Sequence, residues 1–196
     1  MLMLSPFCEY LRFEYETSEE PLFLVQEIDS LRVLSRSRHE IIRSVPPSIY
    51  NVYMEGSESS GSLLRKNFSR YTQKKGDMDM KIGVGDMTTE QVLEGIQECL
   101  KAAEDELSTF LQEELLRSVS YGQAYLPEED QEGIANDLPG VARTLRILNA
   151  LRCPEVGLYL TYEEYLFLKD RAVISRLLSR RLYYLGVKVV IVLAVH

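Results

Sequence analysis

The chain has 196 residues, enough for a real hydrophobic core in one or two domains, and 45% of them are hydrophobic against 27% charged, which excludes wholesale disorder. Its 22 Lys and Arg against 30 Asp and Glu leave a net charge of −8, which argues against a nucleic-acid partner. Three widely spaced cysteines, Cys8, Cys99 and Cys153, suit free thiols in a reducing compartment better than a disulfide framework.

The first sixteen residues lack a basic n-region and a sustained apolar stretch, so they do not read as a signal peptide. Leu11, Phe13 and Tyr15 alternate with Arg12, Glu14 and Glu16, the period of a half-buried strand. Phe23, Leu24 and Val25 form a second apolar run, and Leu31, Val33 and Leu34 a third. Between these two, Glu27-Ile28-Asp29-Ser30 supplies turn residues. Two or three antiparallel strands follow, a sheet too small to stand alone, so residues 1–36 are expected to be part of a larger β domain.

Helices are expected from residue 37 to 196. Ser37 and Glu40 have capping-box spacing ahead of Ile41, Ile42 and Val45, and such a box stabilises a helix start by roughly 1 kcal/mol. Pro46-Pro47 would end that helix, and Ser48 would cap the next through Ile49, Val52 and Tyr53. Glu55–Ser62 reads as a Gly/Ser-rich loop, Leu63–Tyr71 as a helix and Lys74–Met87 as a mobile connection. Thr88 and Gln91 make a second capping box before a helix whose face is Val92, Ile96, Cys99 and Ala103. A helix near Thr109–Tyr121, burying Phe110, Leu111, Leu115 and Val119, would complete a hairpin with it.

Gln123–Asp137 is acidic and reads as a loop. Beyond it, a helix from about Gly140 carries Leu145, Leu148, Ala150 and Leu151 and ends before Pro154. Thr161 and Glu164 form a third capping box ahead of a helix through Tyr165 and Leu168, and helices at Ala172–Arg181 and Leu182–Val195 follow, the last rich in β-branched residues. The fold class is therefore mainly α: a short antiparallel β segment followed by α-solenoid-like helical hairpins, with mobile loops near 55–62, 74–87 and 123–137.

Chemistry is sparse. The histidines are His39 and His196, and the isolated cysteines lack the paired spacing of zinc ligands. Gly83-Val84-Gly85 lacks the third glycine of a dinucleotide loop. Glu104-Asp105-Glu106 and Glu128-Glu129-Asp130 read as solvated charge runs. Tyr159, Tyr162, Tyr165, Tyr183 and Tyr184 either line a recognition surface or pack in a helical core with their hydroxyls at the rim. Arg171, Arg176, Arg180, Arg181 and Lys188 meet no acidic residue after Asp170. That end is either a solvated helix face or a patch for an acidic partner or anionic lipid. Val187–Val195 is too short for a membrane span, which needs about 20 residues.

Several segments in one linear order carry a family resemblance. They are Glu27-Ile28-Asp29-Ser30-Leu31-Arg32-Val33-Leu34-Ser35 with His39-Glu40, Gln97-Glu98-Cys99-Leu100-Lys101-Ala102-Ala103, and Leu115-Leu116-Arg117-Ser118-Val119-Ser120-Tyr121-Gly122. Further on come Leu145-Arg146-Ile147-Leu148-Asn149-Ala150-Leu151-Arg152, Gly157-Leu158-Tyr159-Leu160-Thr161-Tyr162-Glu163-Glu164-Tyr165, and Leu177-Leu178-Ser179-Arg180-Arg181-Leu182-Tyr183. Together they resemble the central part of the vacuolar protein sorting-associated protein 16 family, core subunits of the HOPS and CORVET tethering complexes.

The resemblance implies the end of a β-propeller joined to an α-solenoid, with no catalytic site and no cofactor. It implies a scaffold in vesicle-mediated transport to endosome, lysosome or vacuole, cytoplasmic and peripheral on those membranes through its complex. The implied partners are other tethering subunits and an SM-family protein. Most propeller blades and the distal region that binds the SM protein are expected to lie outside this chain, and Val187–Val195 departs from the polar helix the family shows there. A generic helical interaction domain, and a small regulatory enzyme with its site in the Tyr-rich C-terminal third, are the alternatives.

Overall fold

The computed structural model describes residues 21–36, 38–73 and 87–194. The chain divides into two compact units between Pro47 and Ser48.

The first unit holds a three-stranded antiparallel sheet in the order β1-β2-β3: β1 Phe23–Gln26, β2 Leu31–Leu34 and β3 His39–Ile42. Register follows from the turns. The Glu27 amide donates to the Ser30 carbonyl at 2.9 Å, which sets Gln26 opposite Leu31 and Phe23 opposite Leu34. Arg32 on the central strand reaches back to Glu27 at 2.7 Å. Val33 is buried, whereas Phe23, Leu24 and Val25 of the edge strand β1 are exposed. The strand expected at Leu11–Tyr15 lies outside the described residues.

β3 replaces the helix expected from Ser37. The Ser-x-x-Glu spacing is present, but Ser37 itself lies outside the described residues. It is Ser35 that organises the turn, its hydroxyl accepting from the Arg38 amide at 2.9 Å. Leu31 then pairs with Ile42 and Leu34 with His39. A cap stabilises by about 1 kcal/mol, and a ladder that gives the backbone of two β-branched isoleucines its partners outweighs it. The sheet therefore runs past residue 36, to Ile42.

From Pro47 onward the described elements are all helices. Pro47 opens α1 (Pro47–Tyr53), the position where a missing amide costs nothing, so the Pro46-Pro47 pair starts a helix rather than ending one. Ser48 does not cap it; its hydroxyl donates to Asp105, 2.5 Å away. The following loop is shorter than expected, because α2 (Ser60–Gln73) already begins at Ser60. Two carboxylates hold that start: Glu94 accepts from the Ser60 hydroxyl and Glu98 from the Gly61 amide, both at 2.7 Å. The connection expected at Lys74–Met87 falls, up to residue 86, outside the described residues.

α3 (Thr89–Asp105) starts at the Thr88/Gln91 capping box, with both reciprocal bonds made. α4 (Thr109–Gln123) returns antiparallel, since Gly122 near its end lies against Ile96 in the first half of α3. Leu64, Ile96, Cys99, Leu115 and Val119 fill the space between α2, α3 and α4, each burial contributing roughly 1.5–3 kcal/mol for the large aliphatics. Phe110, expected in this core, is 73% exposed.

The acidic stretch read as a loop to Asp137 is mostly helix. α5 runs from Glu128 to Arg152, straight through Pro139. Glu128, Glu129 and Asp130 occupy its first turn, where negative charge complements the helix dipole, so acidity there marks a helix start. Leu145, Ile147, Leu148 and Leu151 are buried, and Ala150 is exposed.

α6 (Tyr162–Ser179) begins at the Thr161/Glu164 capping box and is broken at Lys169, whose φ of 60° and ψ of 163° are not helical. Its two arms correspond to the two helices expected around Tyr165 and after Ala172. α7 (Tyr183–Ala194) is helical despite its β-branched content. Val173, Leu177 and Val189 extend the core along α5, α6 and α7. The architecture is mainly α, preceded by a short antiparallel sheet.

Candidate interaction surface

The groups that chemistry would need are dispersed. His39 lies on β3 with its Nε2 3.3 Å from an Arg32 nitrogen, and burial and then the Arg32 charge hold its pKa down. His196 and Cys8 lie outside the described residues. Cys99 is buried, its Sγ 3.5 Å from the Gly61 carbonyl, and burial pushes the thiol up to about 12, far from a reactive thiolate. Cys153 sits at the C-cap of α5. Among the described residues no group of three or more His, Cys, Asp or Glu side chains could hold a metal ion.

The acidic run at the end of α3 is not the solvated face its sequence suggests. Asp105 and Glu106 are buried. Asp105 joins α1 through Ser48, while Glu106 Oε1 accepts from the Leu107 and Ser108 amides, both at 2.8 Å. Burial, opposed by Lys101, holds the Glu104 carboxyl above the usual carboxylate range.

A line of hydrogen bonds then crosses the helices. Gln112 Nε2 donates to the Glu106 carbonyl at 2.7 Å, and Asn149 Nδ2 donates to Gln112 Oε1 at 2.7 Å. Arg152 reaches Asn149 Oδ1 at 3.5 Å and gives the Leu160 carbonyl two bonds, at 2.9 and 2.7 Å. The relay thus runs from the end of α3 through α4 and α5 to the loop before α6. Sequence reading missed Gln112, Asn149 and Arg152. The signal available was a polar residue on an otherwise apolar helical face.

The five C-terminal tyrosines divide. Tyr162 and Tyr165 are in the core, and the Tyr165 hydroxyl donates to Asp170 across the break in α6. Tyr159, Tyr183 and Tyr184 are exposed, as are Leu166, Phe167, Leu178, Val187, Val190 and Ile191. What this helical unit offers other molecules is surface: apolar side chains on α6 and α7, interspersed with exposed Arg171, Arg176, Arg180, Arg181 and Lys188.

Residues 1–134, the whole sheet unit and the helices through the start of α5, match the family described as "Vps16, N-terminal region". The chain belongs to the Vps16 family. It is 29% identical over 189 residues to the protein VACUOLELESS1 of Arabidopsis thaliana, covering 96% of this chain and 21% of that protein. To the vacuolar protein sorting-associated protein 16 homolog of Drosophila melanogaster it is 27% identical over 168 residues, 86% of this chain and 19% of the other. To the probable homolog of Schizosaccharomyces pombe the figure is 32% over 163 residues, 83% of this chain and 19% of the other. The chain spans about a fifth of the length of these relatives. All three alignments extend over more residues than the 134 of the family match, so the likeness is not confined to the N-terminal region.

Proposed function

We propose that this chain is a non-catalytic scaffold segment of a Vps16-type subunit in vacuolar protein sorting, working within a membrane-tethering complex of the HOPS or CORVET kind. The observation that carries the reading is the family match over residues 1–134, with alignments of 168 and 163 residues, longer than that match, to relatives named for vacuolar protein sorting. In this reading the sheet is the last part of a propeller, and the helices begin a solenoid whose stacking neighbours bury successive faces. The position is cytoplasmic and peripheral on endosomal, lysosomal or vacuolar membranes. No described helix is long and apolar enough to cross a bilayer, which is compatible with that placement. Partners are other tethering subunits, with the SM-family protein bound elsewhere in the parent subunit.

The supporting chemistry is consistent with scaffolding. Buried Asp105 and Arg152 are tied into junctions between elements, Asp105 to Ser48 and Arg152 to the Leu160 carbonyl. Affinity purification of the tagged chain under mild lysis should recover other tethering subunits. Recovery of none of them, from cells in which the parent subunit does recover them, would remove the proposal.

A further inference from the structure

α7 is apolar on the side that faces away from the protein. Leu182, Gly186 and Val189 turn inward, toward a core shared with α5 and α6. Tyr183, Tyr184, Val187, Val190 and Ile191 are all exposed. At 3.6 residues per turn these five lie within a continuous arc of roughly 120°. Lys188 borders that arc, its Nζ 4.7 Å from the centre of the Tyr184 ring. Arg180 and Arg181 stand exposed just before the helix starts.

We propose that this face of α7 docks on an anionic lipid bilayer, with the helix lying in the plane of the headgroups. Two observations favour lipid over a protein helix. First, from Arg171 onward the sequence has five Lys and Arg and no Asp or Glu, although the chain as a whole carries −8. A protein helix of mixed charge finds only one sign to pair with here, whereas an anionic leaflet supplies a continuous negative surface. Second, the apolar arc contains two tyrosines and is edged by a lysine whose ammonium stands over the Tyr184 ring. Such side chains keep an apolar body in the acyl boundary and a polar tip in the headgroups. The inference stands apart from the tethering proposal, because it concerns this chain's own contact with lipid and needs no partner subunit.

The test is flotation of the full 196-residue chain with vesicles of phosphatidylcholine, alone or mixed with phosphatidylserine. The chain should float with the mixed vesicles, and more weakly as salt rises. Lys188→Glu with Arg181→Glu should lower the partition by at least about tenfold, since each basic residue near an anionic surface contributes to binding. Val187→Ser with Ile191→Ser changes exposed residues, so it should abolish flotation while leaving the circular dichroism melt unchanged. The chain contains no tryptophan. Val187→Trp therefore gives a single reporter whose emission should shift to the blue on mixed vesicles. Failure to float with mixed vesicles overturns the proposal, as does equal flotation with phosphatidylcholine alone or flotation unaffected by the two serines. Capture by a synthetic acidic amphipathic helix without any lipid partition assigns the face to a protein and equally overturns it.

Discussion

Gly95→Ala is a test of how α2 and α3 fit together. A Cβ at this position would stand 2.7 Å from the Ser60 carbonyl oxygen, 3.0 Å from its carbon and 3.3 Å from Leu64 Cβ. Carbon and oxygen ordinarily approach no closer than about 3.3 Å, so the helices must part by roughly 0.6 Å. The obstacle is backbone, and it is pinned, because Ser60 and Gly61 are held by Glu94 and Glu98 on either side of Gly95. Moving α2 away strains both bonds and loosens Leu64 against Ile96, both fully buried. Overpacking of this kind costs about 1–3 kcal/mol, and weakening one hydrogen bond adds about 1. Alanine's helix propensity returns about 1 kcal/mol. The net expectation is a destabilisation of about 1–3 kcal/mol, read as a lower urea midpoint with unchanged slope. Gly133→Ala is the control, since a Cβ there meets nothing within 4 Å in the second turn of α5, and it should stabilise by about 0.5–1 kcal/mol. If Gly95→Ala melts with or above the parent chain, the close contact between α2 and α3 is wrong.

Three other outcomes are expected. Arg152→Met removes the donors that hold the Leu160 carbonyl and should lower unfolding free energy by about 2–3 kcal/mol, with Arg152→Lys intermediate; an unmoved urea midpoint would discard the relay as a source of stability. Arg181 closes α6 at a φ of 61°, with its amide on the Leu178 carbonyl and the Leu182 amide on that of Leu177. Glycine adopts this conformation freely, so Arg181→Gly should raise the melting temperature by a few degrees, about 1 kcal/mol, while Arg181→Val should lower it. Cys99, with its thiol pushed up to about 12, should react with a disulfide reagent at neutral pH only as fast as the chain opens, so its labelling should accelerate with urea; rapid labelling of the native state would place the thiol at the surface.

Elements whose signal is local were legible in the sequence. The Thr88/Gln91 and Thr161/Glu164 boxes each satisfy two helix-start donors within four residues, and both formed. Ser37 and Glu40 have the same spacing, yet Glu40 pairs with Val33 on β2. What decided between helix and strand was the partner strand, which capping residues do not encode. Glu128-Glu129-Asp130 misled in the opposite direction, since exposed acids suit a loop or a helix start equally well. Of the core, the aliphatic positions at helical spacing were readable, as Val92, Ile96 and Cys99 show. Phe110 was not, because it stands in the first turn of α4, outside the layer that α2 and α3 cover. Asp105 and Glu106 were the hardest. Ser48, which Asp105 meets, is 57 residues away, and such a partner leaves no trace in local pattern.

The residues that local pattern could not find are those that set how the helices are arranged. Burial of Leu64, Ile96, Leu148 or Leu177 drives helices together, but apolar attraction is non-directional and tolerates many arrangements. Hydrogen bonds do not tolerate them. Gln112 reaches the Glu106 carbonyl with its amide nitrogen only if its oxygen is left to receive Asn149, and Asn149 and Arg152 stand one turn apart on α5. A helix turned by one residue breaks this line and strands buried polar groups, at about 1–3 kcal/mol each. The relay therefore specifies which face of α5 meets α4 and where the loop to α6 must pass. With that arrangement held from inside, side chains such as Phe110, Phe167 and Tyr184 are not needed for the fold. Their exposure leaves apolar surface open to contacts with other molecules.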